Sequence, residues 1–380
     1  MREARAEALR SRLAGLGRPH TPADVASALR DLGEVVTDAS VRETVSELRR
    51  NSTGAGPLDA LLAEPGVSDV LVNGPREVFV DRGEGLERAD VTFVDDEQVR
   101  RLAIRLAAAA GRRLDDAAPF VDGRLPDGTR LHAVLAPVAE PGTCLSLRVP
   151  ARRSFALEGL VSAGSLPPDG ADILRALVAR RVPFLVSGGT GTGKSTLLSA
   201  LLALVPAEER IVLVEDAREL RPAHPHCVRL EGRPPNGEGA GAIALTTLVR
   251  QALRMRPDRV VLGEVRGGEL TDLLTALNTG HEGGCGTVHA NSLADIPARL
   301  EALAALGGLG REACHAQVAA ALKAVIHVRR EPGGARRVAG VGVFRRGGDG
   351  LVEVVPAVTF AGDGVRRDRS AARLDELVSP

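Results

Sequence analysis

The segment FLVSGGTGTGKSTLLSALLAL holds Gly188-x-x-x-x-Gly193-Lys194-Ser195 between two apolar runs. Residue types and spacing together describe an anion cradle. Glycines let successive backbone N–H groups turn inward, and a helix starting near Lys194 aims its positive end at the same point. Lys194 would reach the β and γ phosphates of a nucleotide, and the Ser195 hydroxyl would ligate Mg²⁺. The backbone of Gly189, Thr190, Gly191 and Thr192 would line the rest of the cradle, closed by Thr196. Lys194 is one of only two lysines, the other being Lys323, so a lysine at this position is a specific feature.

Chemistry on a phosphate also needs carboxylates to hold the metal and to orient or deprotonate water. Two groups follow consecutive apolar runs: Glu215, Asp216 and Glu219 after 211–214, and Glu264 after 260–262. Gly263 stands where an aspartate often precedes such a glutamate, so metal ligation is open to sharing with the earlier acidic group. His281 and His289 bracket HEGGCGTVH and are candidates for contact with the γ phosphate or for relaying its loss. No Cys or acidic partner gives them a zinc-site spacing.

Parallel strands with intervening helices would position these groups. The sequence predicts helix 171–179, strand 184–186, helix 194–204, strand 211–214, helix 245–255, strand 260–262, helix 270–277 and a short run at 286–289. That rhythm implies a mostly parallel sheet with helices on both faces. Upstream, residues 1–50 read as short helices, with Thr21 as N-cap, Pro22 at the first helical position and Asp24 in the first turn. SDVLVN and REVFVDRG read as strands turned at Asn73-Gly74-Pro75, followed by a helix over 98–110. FVDGRLPDGTRLHAVLAPV and CLSLRV read as further strands turned at Asp127-Gly128. The expected divisions are a helical extension (1–50), a smaller α/β domain (51–150), a linker (151–167), the nucleotide-binding domain (168–360) and a charged, poorly ordered tail (361–380).

Composition narrows the partners. Lys plus Arg and Asp plus Glu are 49 each, so no net field favours nucleic acid or an anionic membrane. The absence of Trp and Tyr leaves few stacking platforms for single strands, and no direct nucleic-acid contact is expected. Cys144, Cys227, Cys285 and Cys314 show no C-x-x-C spacing and suit a reducing cytosol. No run approaches the roughly 18 apolar residues of a membrane span.

The ordered blocks GGTGTGKST, VEDARELRP, LRMRPDRVVLGEVRGGE and ALNTGHEGGCGTVHANS resemble the Walker A motif, Asp box, Walker B motif and His box of the type II/IV secretion ATPase superfamily. The upstream LLAEPGVSDVLVNGP, VFVDRG and GRRLDDAAPFVDGRLPDGTRLHAVLAP are similar to its CpaF-like branch, which serves Tad pilus assembly. The resemblance spans about residues 55–330. It implies a RecA-like P-loop core preceded by a smaller, PAS-like α/β domain. It implies ATP and Mg²⁺ as ligands, with Lys194 and Ser195 on nucleotide and metal, Glu219 as the Asp-box carboxylate and Glu264 activating water beside the metal. Arg124, Arg130 and Arg148 match the arginines that the family's N-terminal domain brings to the phosphates. Further implications are a homohexamer, inner-membrane pilus or secretion platform partners, and a cytoplasmic location at the inner face of the membrane. Two other readings are a conjugation-associated ATPase and a nucleotide-responsive subunit with weak turnover. The four-cysteine zinc module of many relatives is absent from the sequence.

Overall fold

The computed structural model describes residues 21–33, 36–37, 40–41, 44, 54–83, 85–150, 155–235, 240–331, 333–361 and 364–379. Most of the expected 1–50 extension lies outside these residues. They divide at Pro150 into two compact units.

In the first unit, helix α1 (Pro22–Asp31) begins with a full capping box. Thr21 N donates to Asp24 Oδ2 at 2.7 Å, and Asp24 N donates to Thr21 Oγ1 at 3.3 Å. After a short helix α2 (Asp59–Ala63) come β1 (Asp69–Asn73), β2 (Val78–Asp81), β3 (Leu86–Arg88), α3 (Asp96–Ala109), β4 (Phe120–Arg124), β5 (Arg130–Val134) and β6 (Cys144–Arg148). The six strands form one antiparallel sheet in the order β3-β2-β1-β6-β5-β4. Both expected turns use glycine at positive φ, +69° at Gly74 and +93° at Gly128. Helix α3 is capped by Asp95, which accepts from Gln98 N at 2.8 Å. It buries Val99, Leu102, Ala103, Leu106 and Ala107, at the i, i+3, i+4, i+7, i+8 spacing of one helical face.

The second unit is built on a nine-stranded sheet. Its elements are α4 (Leu157–Ser162), α5 (Pro168–Ala179), β7 (Phe184–Ser187), α6 (Lys194–Leu202), β8 (Ile211–Glu215), β9 (Cys227–Glu231), α7 (Leu245–Ala252), β10 (Arg259–Val265), α8 (Glu269–Asn278), β11 (Cys285–Val288), α9 (Ile296–Leu306), α10 (Arg311–Ala321), β12 (Ala324–Arg330), β13 (Arg336–Arg346), β14 (Val352–Ala361), β15 (Gly364–Arg367) and α11 (Ala371–Val378). The order is β15-β14-β13-β12-β7-β11-β10-β8-β9, parallel from β12 through β9 and antiparallel beyond β12. Alternate residues of the central strands enter two separate cores. Phe184, Val186, Ile211 and Leu213 pack on one face, and Leu185, Val212 and Val214 on the other. A strand covered on both faces reads as an unbroken apolar run, which is why these strands were recognisable.

Two expectations are corrected. The proposed linker 151–167 contains α4, and Leu157 and Leu166 are each 1% exposed within the core. Val338 N donates to Ser165 O at 2.9 Å, tying this stretch to β13. The expected disordered tail instead adds β15 to the sheet edge and closes the core with α11, where Leu374 is buried. The charges of 364–379 occupy the outer face of elements whose apolar positions point inward.

Candidate nucleotide-binding site

Strand β7 is buried along its whole length and ends at Ser187, between β12 and β11 at the centre of the nine-stranded sheet. The loop that follows has positive φ at Gly188 (+154°), Gly191 (+71°) and Gly193 (+96°), and Gly193 is the N-cap of α6. A Cβ on Gly188 would lie 2.4 Å from Val328 O, so any side chain there would force the loop off β12. The loop is therefore obliged to be glycine both by its backbone turn and by its neighbour. Lys194 is nine-tenths buried, and its ammonium donates to Gly188 O at 2.9 Å and Gly189 O at 2.8 Å. Thr192 Oγ1 donates to Gly189 O at 2.9 Å, which fixes the loop's curvature. Helix N-terminus, turned-in loop and buried ammonium together fit the phosphate chain of a nucleotide.

The acidic residues gather at the carboxyl ends of β8 and β10, beside the loop, where open α/β sheets bind ligands. Ser195 Oγ donates to Glu219 Oε2 at 3.2 Å, joining the loop hydroxyl to the acidic group that follows β8. Glu219 is held there by Glu215. The Glu215 carboxylate is 1% exposed, and its Oε1 accepts from Glu219 N at 2.9 Å and Leu220 N at 2.8 Å. Burial pushes the Glu215 carboxyl above its usual pKa, against the opposing pull of those two amides and of Arg229, whose Nη2 lies 3.7 Å from Oε2. Gly263 now has a physical account. A Cβ there would sit 2.6 Å from Glu215 Cγ, so the space an aspartate side chain would enter is filled from the neighbouring strand.

Glu264 is bound through one oxygen by Arg266, with Nε at 2.7 Å and Nη2 at 2.5 Å. Arg266 Nη1 also reaches Asp216 Oδ2 at 2.7 Å. One guanidinium thus bridges the acidic ends of β10 and β8. Burial lowers its pKa, and Asp216 and Glu264 more than reverse that, so the net shift is upward. Glu215 is among the carboxylates expected from the sequence, but its role in positioning Glu219 depends on burial that the sequence does not display. Arg266 was not among the expected residues; its signal was a charge two positions after Glu264.

The two histidines separate. His289 follows β11 at the end nearest the loop, since Val288 pairs with Ser187. His281 precedes β11 at the opposite end, and a four-residue strand spans about 13 Å. His281 is therefore not brought to the loop of its own chain. A different histidine, His327, stands closer: its Nδ1 is 2.9 Å from Ser187 Oγ, next to Gly188. In the first unit, Arg124, Arg130 and Arg148 are successive cross-strand partners, forming a row on one sheet face. Like charges directly opposite one another destabilise a sheet, which makes the row a candidate anion-binding face.

The sequence matches the family described as Type II/IV secretion system protein over residues 51–333, most of the chain. The chain belongs to this secretion ATPase family. A Mycobacterium tuberculosis (strain H37Rv) protein named for conjugal transfer is 53% identical over 353 residues, covering 91% of this chain and 98% of its own. The type IV secretion system protein PtlH of Bordetella pertussis is 37% identical over 254 residues, covering 61% of this chain and 75% of its own. Among solved structures, the pilus retraction motor PilT with bound ADP aligns at a TM-score of 0.54 and 21% identity, covering 84% of each chain. That likeness supports the fold of the secretion ATPases, a RecA-like core with an N-terminal domain. Among the described residues no helix is long and apolar enough to cross a membrane.

Proposed function

We propose that this secretion ATPase hydrolyses ATP to ADP and phosphate with Mg²⁺, as a ring-forming motor for a membrane-bound pilus or secretion machine. The observation that carries the reading is the Ser195–Glu219 hydrogen bond, which joins the phosphate loop to the acidic group that follows β8. The loop amides and Lys194 bind the phosphates and stabilise charge developing during transfer. Ser195, with Glu264 and Glu219 directly or through water, would hold Mg²⁺, which supplies further charge neutralisation; this ion commonly takes only one or two protein ligands. Glu264 accepts the proton of the attacking water, with Arg266 holding its carboxylate in place.

Homohexamer formation, inner-membrane platform partners and residence at the cytoplasmic face complete this reading. The arginine row Arg124, Arg130 and Arg148 is assigned to anion binding, and His289 to the His box. The upstream sequence blocks favour Tad pilus assembly. The name of the M. tuberculosis relative favours conjugal transfer, so that assignment stays in play. A salt-dependent DNA-binding assay separates the two.

Phosphate release by Glu264→Gln tests the chemistry. Loss of a general base lowers turnover by about 10²-fold or more, with ATP binding retained. Lys194→Ala loses tight nucleotide binding. Unchanged hydrolysis in Glu264→Gln would remove the assigned base.

A further inference from the structure

The hairpin between β12 and β13 carries Arg329, Arg330, Glu331, Arg336 and Arg337. The first and last of these arginines are cross-strand partners, and both pair with Glu331, at 3.1 Å and 3.2 Å. Arg330 Nε donates to Gly334 O at 3.3 Å within the turn. Arg336, the cross-strand partner of Arg330, is directed differently. Its Nε donates to Gly191 O at 3.0 Å, and its Cδ lies 3.6 Å from the Cβ position of Gly193.

Arg336 is exposed, and among the described residues no carboxylate pairs with it. The same hairpin face continues to the Val328–Val338 pair, and Val328 O is the atom against which Gly188 packs. One edge of the hairpin thus runs along the phosphate loop and ends in a guanidinium on its rim. A single loop carbonyl takes one donor of a five-donor fork that suits phosphate oxygens. Arg336 also lies beyond residue 333, where the family match ends.

The geometry points to Arg336 as a second cation of the nucleotide site, supplied by the same chain and binding the phosphate oxygens of a nucleoside di- or triphosphate. This assignment rests on the nucleotide-binding reading of the loop and adds a residue to it. Lys194 binds from within the loop, and Arg336 closes on the phosphates from its rim.

The test titrates fluorescent ADP and ATP analogues into the full-length protein and its Arg336→Ala, Arg336→Lys and Lys194→Ala variants, at low and high salt. The expected result is about tenfold weaker binding of both nucleotides by Arg336→Ala, as for loss of a partly exposed charge-assisted bond. The salt dependence of that variant should be shallower than wild type, because one screened ion pair is gone. Arg336→Lys should recover part of the affinity, and the nucleotide-free melting temperature should hold. Wild-type affinity in Arg336→Ala overturns the assignment. So does weaker binding that keeps the wild-type salt dependence and comes with a lower nucleotide-free melting temperature, which would make Arg336 a brace for Gly191. If wild type itself binds neither nucleotide, the underlying reading of the loop fails; in that case Arg336 variants would match wild type for a different reason.

Discussion

Replacing Gly263 by alanine adds one methyl group at a site where the structure leaves no room. The new Cβ would lie 2.6 Å from Glu215 Cγ, 3.2 Å from Oε1 and 3.3 Å from Glu215 Cβ. Ordinary carbon contacts begin near 3.5 Å, so the Glu215 side chain must move by about 1 Å. Such a shift draws Oε1 away from Glu219 N and Leu220 N, now at 2.9 Å and 2.8 Å. Overpacking costs about 1–3 kcal/mol. Weakening the two hydrogen bonds to a charged acceptor adds a cost of about the same size, with partial relaxation offsetting some of both. A total of about 3 kcal/mol lowers the melting temperature of a unit this size by about 6–12 °C.

Differential scanning calorimetry of Gly263→Ala, Glu215→Ala and the double variant measures this. Removing Glu215 Cγ relieves the worst contact, so the double variant should be no less stable than Glu215→Ala alone. Additive losses in the double variant would refute the steric account. An unchanged melting temperature in Gly263→Ala would do so as well.

Glu215→Gln is expected to flatten the pH dependence of stability. Burial raises the Glu215 pKa in the folded state, so the folded protein holds that proton more tightly than the unfolded chain. Stability therefore falls as pH rises from the unfolded value, about 4.3, through the raised folded value, and is level above it. Denaturation midpoints across that window should fall more in wild type than in Glu215→Gln, and parallel profiles would contradict the assignment. Arg266→Ala should leave the melting temperature nearly unchanged, since half-exposed ion pairs contribute about 1 kcal/mol or less. Steady-state kinetics should show about tenfold lower kcat with little change in KM, because a freed Glu264 no longer holds its position; equal losses in both parameters would point to a binding role instead.

Much of the site was legible because its elements have short-range signals. The phosphate loop is defined by glycines at positions that demand positive φ, and β8 and β10 by apolar runs ending in carboxylates. The capping box at Thr21 and Asp24 was equally local. What escaped the sequence depends on distant pairing. β13 begins and ends in arginines and contains Gly340 and Gly342, and β14 contains Pro356, all of which break strand patterns until a partner is known. The structure accommodates that proline next to a register shift between Val341 and Gly342. His281 and His289 look equivalent as a sequence bracket, yet they flank one extended strand and so stand at its opposite ends. The absence of an aspartate at position 263 could not be understood without Glu215, whose side chain comes from another strand.

The contact of Gly188 with the Val328 carbonyl leaves the phosphate loop without slack on that side. Strand β12 forms the seam between the parallel strands and the antiparallel extension, so a small slide of that extension would press directly on the first turn of the loop. Force applied at the far edge of the sheet, where β15 and α11 lie, has a rigid route to the phosphate cradle through backbone atoms that no rotamer change can relax.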